Sequence, residues 1–379
     1  MGIANTMNAF CRALLVAASM TALAVATAQA QDNEPLHDQI LANPQNAELN
    51  LRYAREAETR GELRLALAAY ERVLINEPDN AEARRGYERV RRALEPPFTI
   101  FRTELGARWD SNPLNAGFGE TEAESFYTRL MLVDERPIAG RRWRSIANFH
   151  GEITPDIDQL DYAFLGVQTG PLFYKAPHKA AIPAIGLGVA TLDGSHYFNE
   201  YNLGLTFEGR KNGLSWWTRL RGGVRDYSYD ATAEEGPYAE LAGGLTAPRL
   251  TSDNDALVIA PWVRWSDIEG ESIGFFFDAN APGQFIEYGL EAHYHNQVAD
   301  HVLISVGATA RQRDYDRTTV GPSKREDFYF APGASLTLNH LTACSCSLRL
   351  SYEHRRNDSN DPASDFDANQ VSLSLMRQF

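Results

Sequence analysis

From Phe98 to Phe379 apolar and polar side chains alternate in short runs. Fourteen such runs stand out, starting near residues 98, 123, 141, 160, 180, 195, 213, 238, 256, 283, 301, 325, 345 and 369. Strict alternation is the signature of a strand that shows one face to each of two environments. The run 301–313 sets Val302, Ile304, Val306, Ala308 and Ala310 against Leu303, Ser305, Gly307, Thr309, Arg311 and Arg313. In 285–295, Ile286, Tyr288, Leu290, Ala292 and Tyr294 oppose Glu287, Glu291, His293 and His295, and in 214–225 Leu214, Trp216, Leu220 and Val224 oppose Arg219, Arg221 and Arg225. The polar faces imply a wet interior. The last strand carries Val371, Leu373, Leu375 and Phe379 on its apolar face and ends the sequence on an aromatic ring, as the closing strand of an outer-membrane barrel does.

The amino-terminal part follows another period. From about Leu36 to Leu94 it is rich in Ala, Leu, Arg and Glu at helical spacing, until Glu95-Pro96-Pro97 ends the helical region. Residues 47–80 fit one tetratricopeptide (TPR)-like hairpin, with Ala54, Gly61, Ala66, Tyr70 and Pro78 at its characteristic positions. Before it, Arg12, an apolar run from Ala13 to Thr27 and Ala28-Gln29-Ala30 read as a secretory signal over 1–30. The expected organisation is therefore a signal peptide (1–30), a periplasmic helical module (31–97) and an all-β transmembrane antiparallel barrel of about fourteen strands (98–379).

Connection lengths orient the barrel. Counting from Phe98, even connections such as 134–140, 209–213 and 296–300 are short, while 110–122, 227–237, 267–283 and 355–368 are long and acidic. Outer-membrane barrels have short periplasmic turns and long external loops, so both barrel ends and the helical module are expected in the periplasm. The odd connections after the third and fifth strands are short and fit this scheme less well. A soluble β-sandwich also has short alternating strands.

The net charge of -14 argues against nucleic acid or an anionic membrane surface as a partner. The spacing of Cys344 and Cys346 suits neither an ordinary disulfide nor a zinc site, which leaves two small buried or turn residues as the expectation. No cofactor motif is present, and no strong catalytic one. Ser195 and His196 are neighbours on a strand and so point to opposite faces, against a hydrolase pair. The row Glu287, Glu291, His293, His295 fits a metal or proton site less well than a solvated lumen wall. Arg219, Arg221 and Arg225 share one face and repel unless acids or anions oppose them. Glu287, Glu291 or other carboxylates across the lumen are expected to do so, narrowing or plugging the pore. An anion-attracting constriction is the alternative.

The signal, the TPR-like module and the barrel together resemble the surface lipoprotein assembly modulators, the Slam family. Leu105-Gly-Ala-Arg-Trp-Asp-Ser-Asn-Pro113 resembles the Asp-Ser-Asn element after that family's first strand, and Arg356-Asn-Asp-Ser-Asn360 with Val371–Phe379 resembles its closing hairpin. The helical module is smaller than in the best-known members. The resemblance implies a non-enzymatic protein of the cell outer membrane, in contact with the lipid bilayer and with an exported client protein or its periplasmic chaperone. Two other functions are compatible with the residues: a porin or polysaccharide-export channel, and an outer-membrane lipid hydrolase.

Overall fold

The computed structural model describes residues 34–119, 121–139, 141–176, 179–228, 234–270, 282–316, 323–341 and 345–379. The signal segment 1–30 and Cys344 lie outside these residues. The chain divides into two compact units that meet between Glu95 and Pro96, two residues before the boundary expected from sequence.

The first unit holds helices α1 (Glu34–Ala42), α2 (Ala47–Thr59), α3 (Leu63–Asn76) and α4 (Ala81–Ala93). Asn46 caps α2, and Asn80 caps α4 by accepting from the Glu82 and Ala83 amides. Gly61, at φ +77, supplies the left-handed residue between α2 and α3, and Pro78 lies between α3 and α4. Ala54, Ala66 and Tyr70 are buried in the core of this unit with Val73 and Val90. The Tyr70 hydroxyl donates to Glu58 at 2.7 Å, and Arg89 donates to the same carboxylate at 2.7 and 2.5 Å.

Burial, together with the bond to Glu58, pushes the Tyr70 phenol above its ordinary value. The neutral phenol is thus the form that folding favours. Its contribution is complete below about pH 10, the unfolded value, and is lost as pH rises toward the higher folded value. The protection factors of the α2–α4 amides, which correct for intrinsic base-catalysed exchange, are therefore expected to fall above about pH 10. Tyr70→Phe should remove that alkaline dependence, and an unchanged profile in the variant would assign it to another group.

The second unit contains β1 (Phe98–Asp110), β2 (Ala123–Ile138), β3 (Arg141–Ile153), β4 (Tyr162–Pro171), β5 (Phe173–Ala176), β6 (Lys179–Leu192), β7 (Ser195–Lys211) and β8 (Leu214–Tyr227). It continues with β9 (Gly236–Pro248), β10 (Asp255–Ile268), β11 (Gly283–Ala299), β12 (Val302–Tyr315), β13 (Glu326–Leu341), β14 (Cys346–Ser359) and β15 (Phe366–Gln378). Each strand pairs antiparallel with its neighbours. β4 and β5 both pair with β6, so they are two pieces of one stave broken at Leu172, and the wall has fourteen staves. Pairing of β1 with β15 closes the ring, and the Phe379 and Phe101 backbones exchange both hydrogen bonds at 2.8 and 3.2 Å. Closure leaves no sheet edge, the condition for strands to cross a bilayer. The expected starts fall within three residues of the observed ones.

The outward positions are apolar. Leu203 is 67% exposed, Ile185 and Leu187 61% each, and Val371, Leu373, Leu375 and Phe379 are all exposed. The alternate residues Ser372 and Ser374 point inward and are buried. An apolar outer wall around a polar interior inverts a soluble barrel, and it places the protein in the outer membrane.

Connections 139–140, 177–178, 212–213, 249–254, 300–301 and 342–345 form one end, which holds both barrel termini. The other end carries the longer connections 111–122, 228–235, 269–282 and 316–325, together with 154–161, 360–365 and the two-residue turn Asp193-Gly194. Both residues of that turn have positive φ, 51° and 68°, as a tight hairpin requires. Cys346 differs from expectation: it is disulfide-bonded, with its partner outside the described residues. Pairing so close to a turn depends on local backbone geometry that sequence spacing does not fix.

Candidate functional site: the lumen wall

Strand alternation brings the charged residues of β7 to β12 onto one inner surface. Glu200 on β7 meets Arg225 at 2.9 Å and Arg221 at 3.8 Å. Glu240 on β9 then takes Arg221 at 3.5 Å, Arg219 at 2.9 Å and Arg264 of β10 at 2.9 Å. Arg264 reaches Glu287 of β11 at 3.2 Å, and Glu287 also accepts from Arg313 and from the Trp262 indole at 2.9 and 2.7 Å. Arg311 stands 3.9 Å from the same carboxylate.

The expected partners are thus only partly correct. Arg219, Arg221 and Arg225 are neutralised by Glu200 and Glu240 on flanking strands, while Glu287 joins them through Arg264. Glu291 stays outside the network, pairing with His293 at 2.9 Å, half exposed. In register, Arg225 faces Glu200 directly and Arg221 faces Glu240. Neighbouring staves are therefore the nearer source of countercharge than the far wall. Each of these pairs joins adjacent staves, so the pairs named here run along the wall.

Ser195 and His196 open β7, and the His196 ring meets Asn199 at 3.2 Å. The His293 and His295 rings stack at 6.1 Å, and His295 engages Ser305. Among the described residues no group of acidic, His and Cys side chains is arranged to hold a metal ion.

The remaining wall, from β12 through β15 to β2, encloses a cavity of about 410 Å³. Seven arginines line it, Arg108, Arg129, Arg311, Arg313, Arg325, Arg349 and Arg355, against three carboxylates, Glu104, Asp327 and Glu353. Several guanidinium groups are anchored. Arg355 bonds Asp110 at 2.6 Å, Arg108 bonds Glu152 at 3.0 Å, and Arg325 bonds Asp327 at 2.9 Å. Aromatic faces also contribute: Arg311 lies 4.2 Å from the Tyr329 ring centre, and Arg129 lies 4.8 Å from that of Tyr127, donates to His150 at 3.3 Å and stands 3.8 Å from Glu104. The Nε atoms of Arg108, Arg349 and Arg355 are buried with no hydrogen-bond partner among the described residues.

On the opposite side Tyr162, Tyr197, Phe198, Tyr227 and Ile268 pack into an apolar cluster at the outer end of β4 to β10. They occupy that half of the lumen and leave the open volume against the arginines. Arg311 and Arg313 sit on a polar face legible in the sequence. Arg108, Arg129, Arg349 and Arg355 are isolated in sequence, and only the register gathers them.

No family model matches the sequence, and no curated protein matches it significantly. Among solved structures the barrel is similar to the outer membrane channel DcaP of Acinetobacter baumannii (10% identity, 75% of this chain and 97% of that one, TM-score 0.47). It is also similar to the outer membrane protein OpdK from Pseudomonas aeruginosa (11%, 74% and 99%, TM-score 0.38) and to OmpT of Vibrio cholerae (7%, 75% and 100%, TM-score 0.40).

Proposed function

We propose that this outer-membrane barrel is a channel for small organic anions. The observation that carries this reading is the excess of arginine over carboxylate in the lumen cavity of a chain whose net charge is -14. Acidic loops at the outer end and a basic wall inside require the positive charge to be concentrated where a solute would pass. A guanidinium fork matches carboxylate and phosphate geometry, and an aromatic face behind it holds the fork in place without neutralising it. Low-dielectric walls around one sign of charge raise the local concentration of the opposite ion.

Planar-bilayer recording under a KCl gradient tests this. The reversal potential is expected to show anion selectivity, with a permeability ratio on the order of 10. Cation selectivity, or no conductance at all, would count against it.

A second reading, translocation of an exported client as in the Slam family, is supported by the helical unit, where Leu41, Leu65 and Ile75 leave apolar surface exposed. A TPR-like hairpin with one uncovered face needs a partner to cover it. Surface biotinylation of a deletion strain separates the two. Loss of one or a few surface proteins supports translocation, whereas an unchanged surface proteome with altered anion uptake supports the channel.

A further inference from the structure

Strand alternation also fixes which charges face lipid. At the periplasmic end the outward positions of β15, β2, β3, β6 and β7 carry Arg377, Arg136, Arg141, Lys179 and Lys211, all exposed. Each shares its parity with apolar wall residues of the same strand: Arg377 with Leu375, Lys179 with Ile185, Lys211 with Leu203. These strands, with β1 and the β4–β5 stave, form one continuous arc of seven staves, half the ring.

Along the arc the one outward carboxylate at this level is Asp134, which Arg136 engages at 2.6 Å. Four cations remain in excess. Over the other half, β8 to β14, the same end offers Leu214, Val298 and Leu338, and its charges include Arg249 with Asp253, Asp255 and the exposed Asp300. The basic arc is therefore one-sided.

Aromatic rings lie directly beside the cations. Arg377 sits 4.3 Å from the Phe379 ring centre and Arg141 5.3 Å from that of Phe173. Rings at the interface with long basic chains reaching past them form the arrangement of a headgroup contact, since the stem stays on apolar surface while the charge meets the polar layer. At the opposite end the outward positions are mostly acidic, with Asp226, Asp267, Asp314 and Asp367 all exposed and Arg356 paired with Asp358. The polarity along the outer wall thus matches a cation-seeking outer rim and an anion-seeking periplasmic rim.

We propose that the periplasmic edge of the lipid-facing wall binds anionic phospholipids through their phosphate groups along the β15–β7 arc, with Arg377, Arg136, Arg141, Lys179 and Lys211 as the contacts. The four-cation excess along this rim binds a net-negative lipid and leaves a zwitterionic one unselected, because the ammonium of the latter cancels the attraction. The opposite half of the ring selects no headgroup.

The test uses the full chain in vesicles of phosphatidylcholine with spin-labelled phosphatidylglycerol or spin-labelled phosphatidylcholine. The motionally restricted fraction reports relative association with the barrel. The wild type is expected to prefer phosphatidylglycerol on the order of five-fold, and raising the salt to about 1 M should remove the preference. The quintuple variant R136Q/R141Q/K179Q/K211Q/R377Q should show a ratio near one while retaining the heat-dependent gel mobility of a folded barrel. If it does not fold, the wild-type salt dependence decides alone. No preference in the wild type, a preference insensitive to salt, or one that persists in the folded variant overturns the proposal. So does a wild type without lipid preference whose arc instead cross-links to an acidic periplasmic protein.

Discussion

Replacing Glu287 with Gln is expected to destabilise the barrel by about 3 to 5 kcal/mol, the largest stability loss we anticipate from a single charge change. Its side chain is 1% exposed and faces Arg264, Arg311 and Arg313 together with the Trp262 indole. The substitution keeps shape and volume, so no cavity forms. What it removes is the countercharge of guanidinium groups that have already left bulk water, and leaving a buried charge uncompensated costs more than an intact pair contributes. Urea unfolding in phospholipid vesicles, followed by tryptophan fluorescence and by gel mobility, measures the loss. Glu291→Gln is the control, because this half-exposed carboxylate outside the network should change stability by less than about 0.5 kcal/mol. Equal losses in the two variants would mean that the network contributes nothing beyond generic lumen charge.

The triple variant R129Q/R311Q/R349Q is expected to bring the anion-to-cation permeability ratio from the order of 10 to near one. These three cavity arginines stand farther from the carboxylates named here than Arg313, Arg325 and Arg355 do: 3.8 Å separates Arg129 from Glu104, 3.9 Å separates Arg311 from Glu287, and the Arg349 Nε has no partner among the described residues. Their charge is the part that a passing ion senses. Arg313, Arg325 and Arg355 are bound to carboxylates at 2.9 Å or closer and contribute less net field per residue. Arg356→Gln, on the outer face beside Asp358, should leave the ratio unchanged. Reversal potentials of all three proteins in one gradient decide the matter, and a triple variant that stays anion-selective would move the selectivity filter out of this cavity.

The barrel was legible because its rule is local. A period of two needs only neighbours in sequence, and the clear alternations at 214–225, 285–295 and 301–313 placed their inward and outward faces without knowledge of partners. The stave broken at Leu172 was not legible, since β4 and β5 differ from one continuous strand only in their pairing with β6. The lumen network was half legible. Arginines on one face of β8 announced that countercharge was needed, yet the supplying carboxylates, Glu200 and Glu240, could be identified only after the register set Arg225 opposite Glu200 and Arg221 opposite Glu240. Of the cavity only Arg311 and Arg313 were legible, because Arg129 and Arg349 are 220 positions apart in the chain and are brought to one wall by ring closure between β1 and β15.

The two-residue turn Asp193-Gly194 makes the outer parapet uneven. Between β6 and β7 the wall ends almost as soon as the strands do, while other connections at this end, such as 111–122 and 269–282, are several times longer in sequence. The low sector lies beside Tyr197 and Phe198, the rings that open the apolar cluster. A solute arriving from outside thus has a sill on one side of the entrance, greasy on its inner edge, with the cationic wall across from it. Arrival and capture become separate events on opposite sides of one mouth, and a molecule that carries an apolar body and a negative tail can touch both at once.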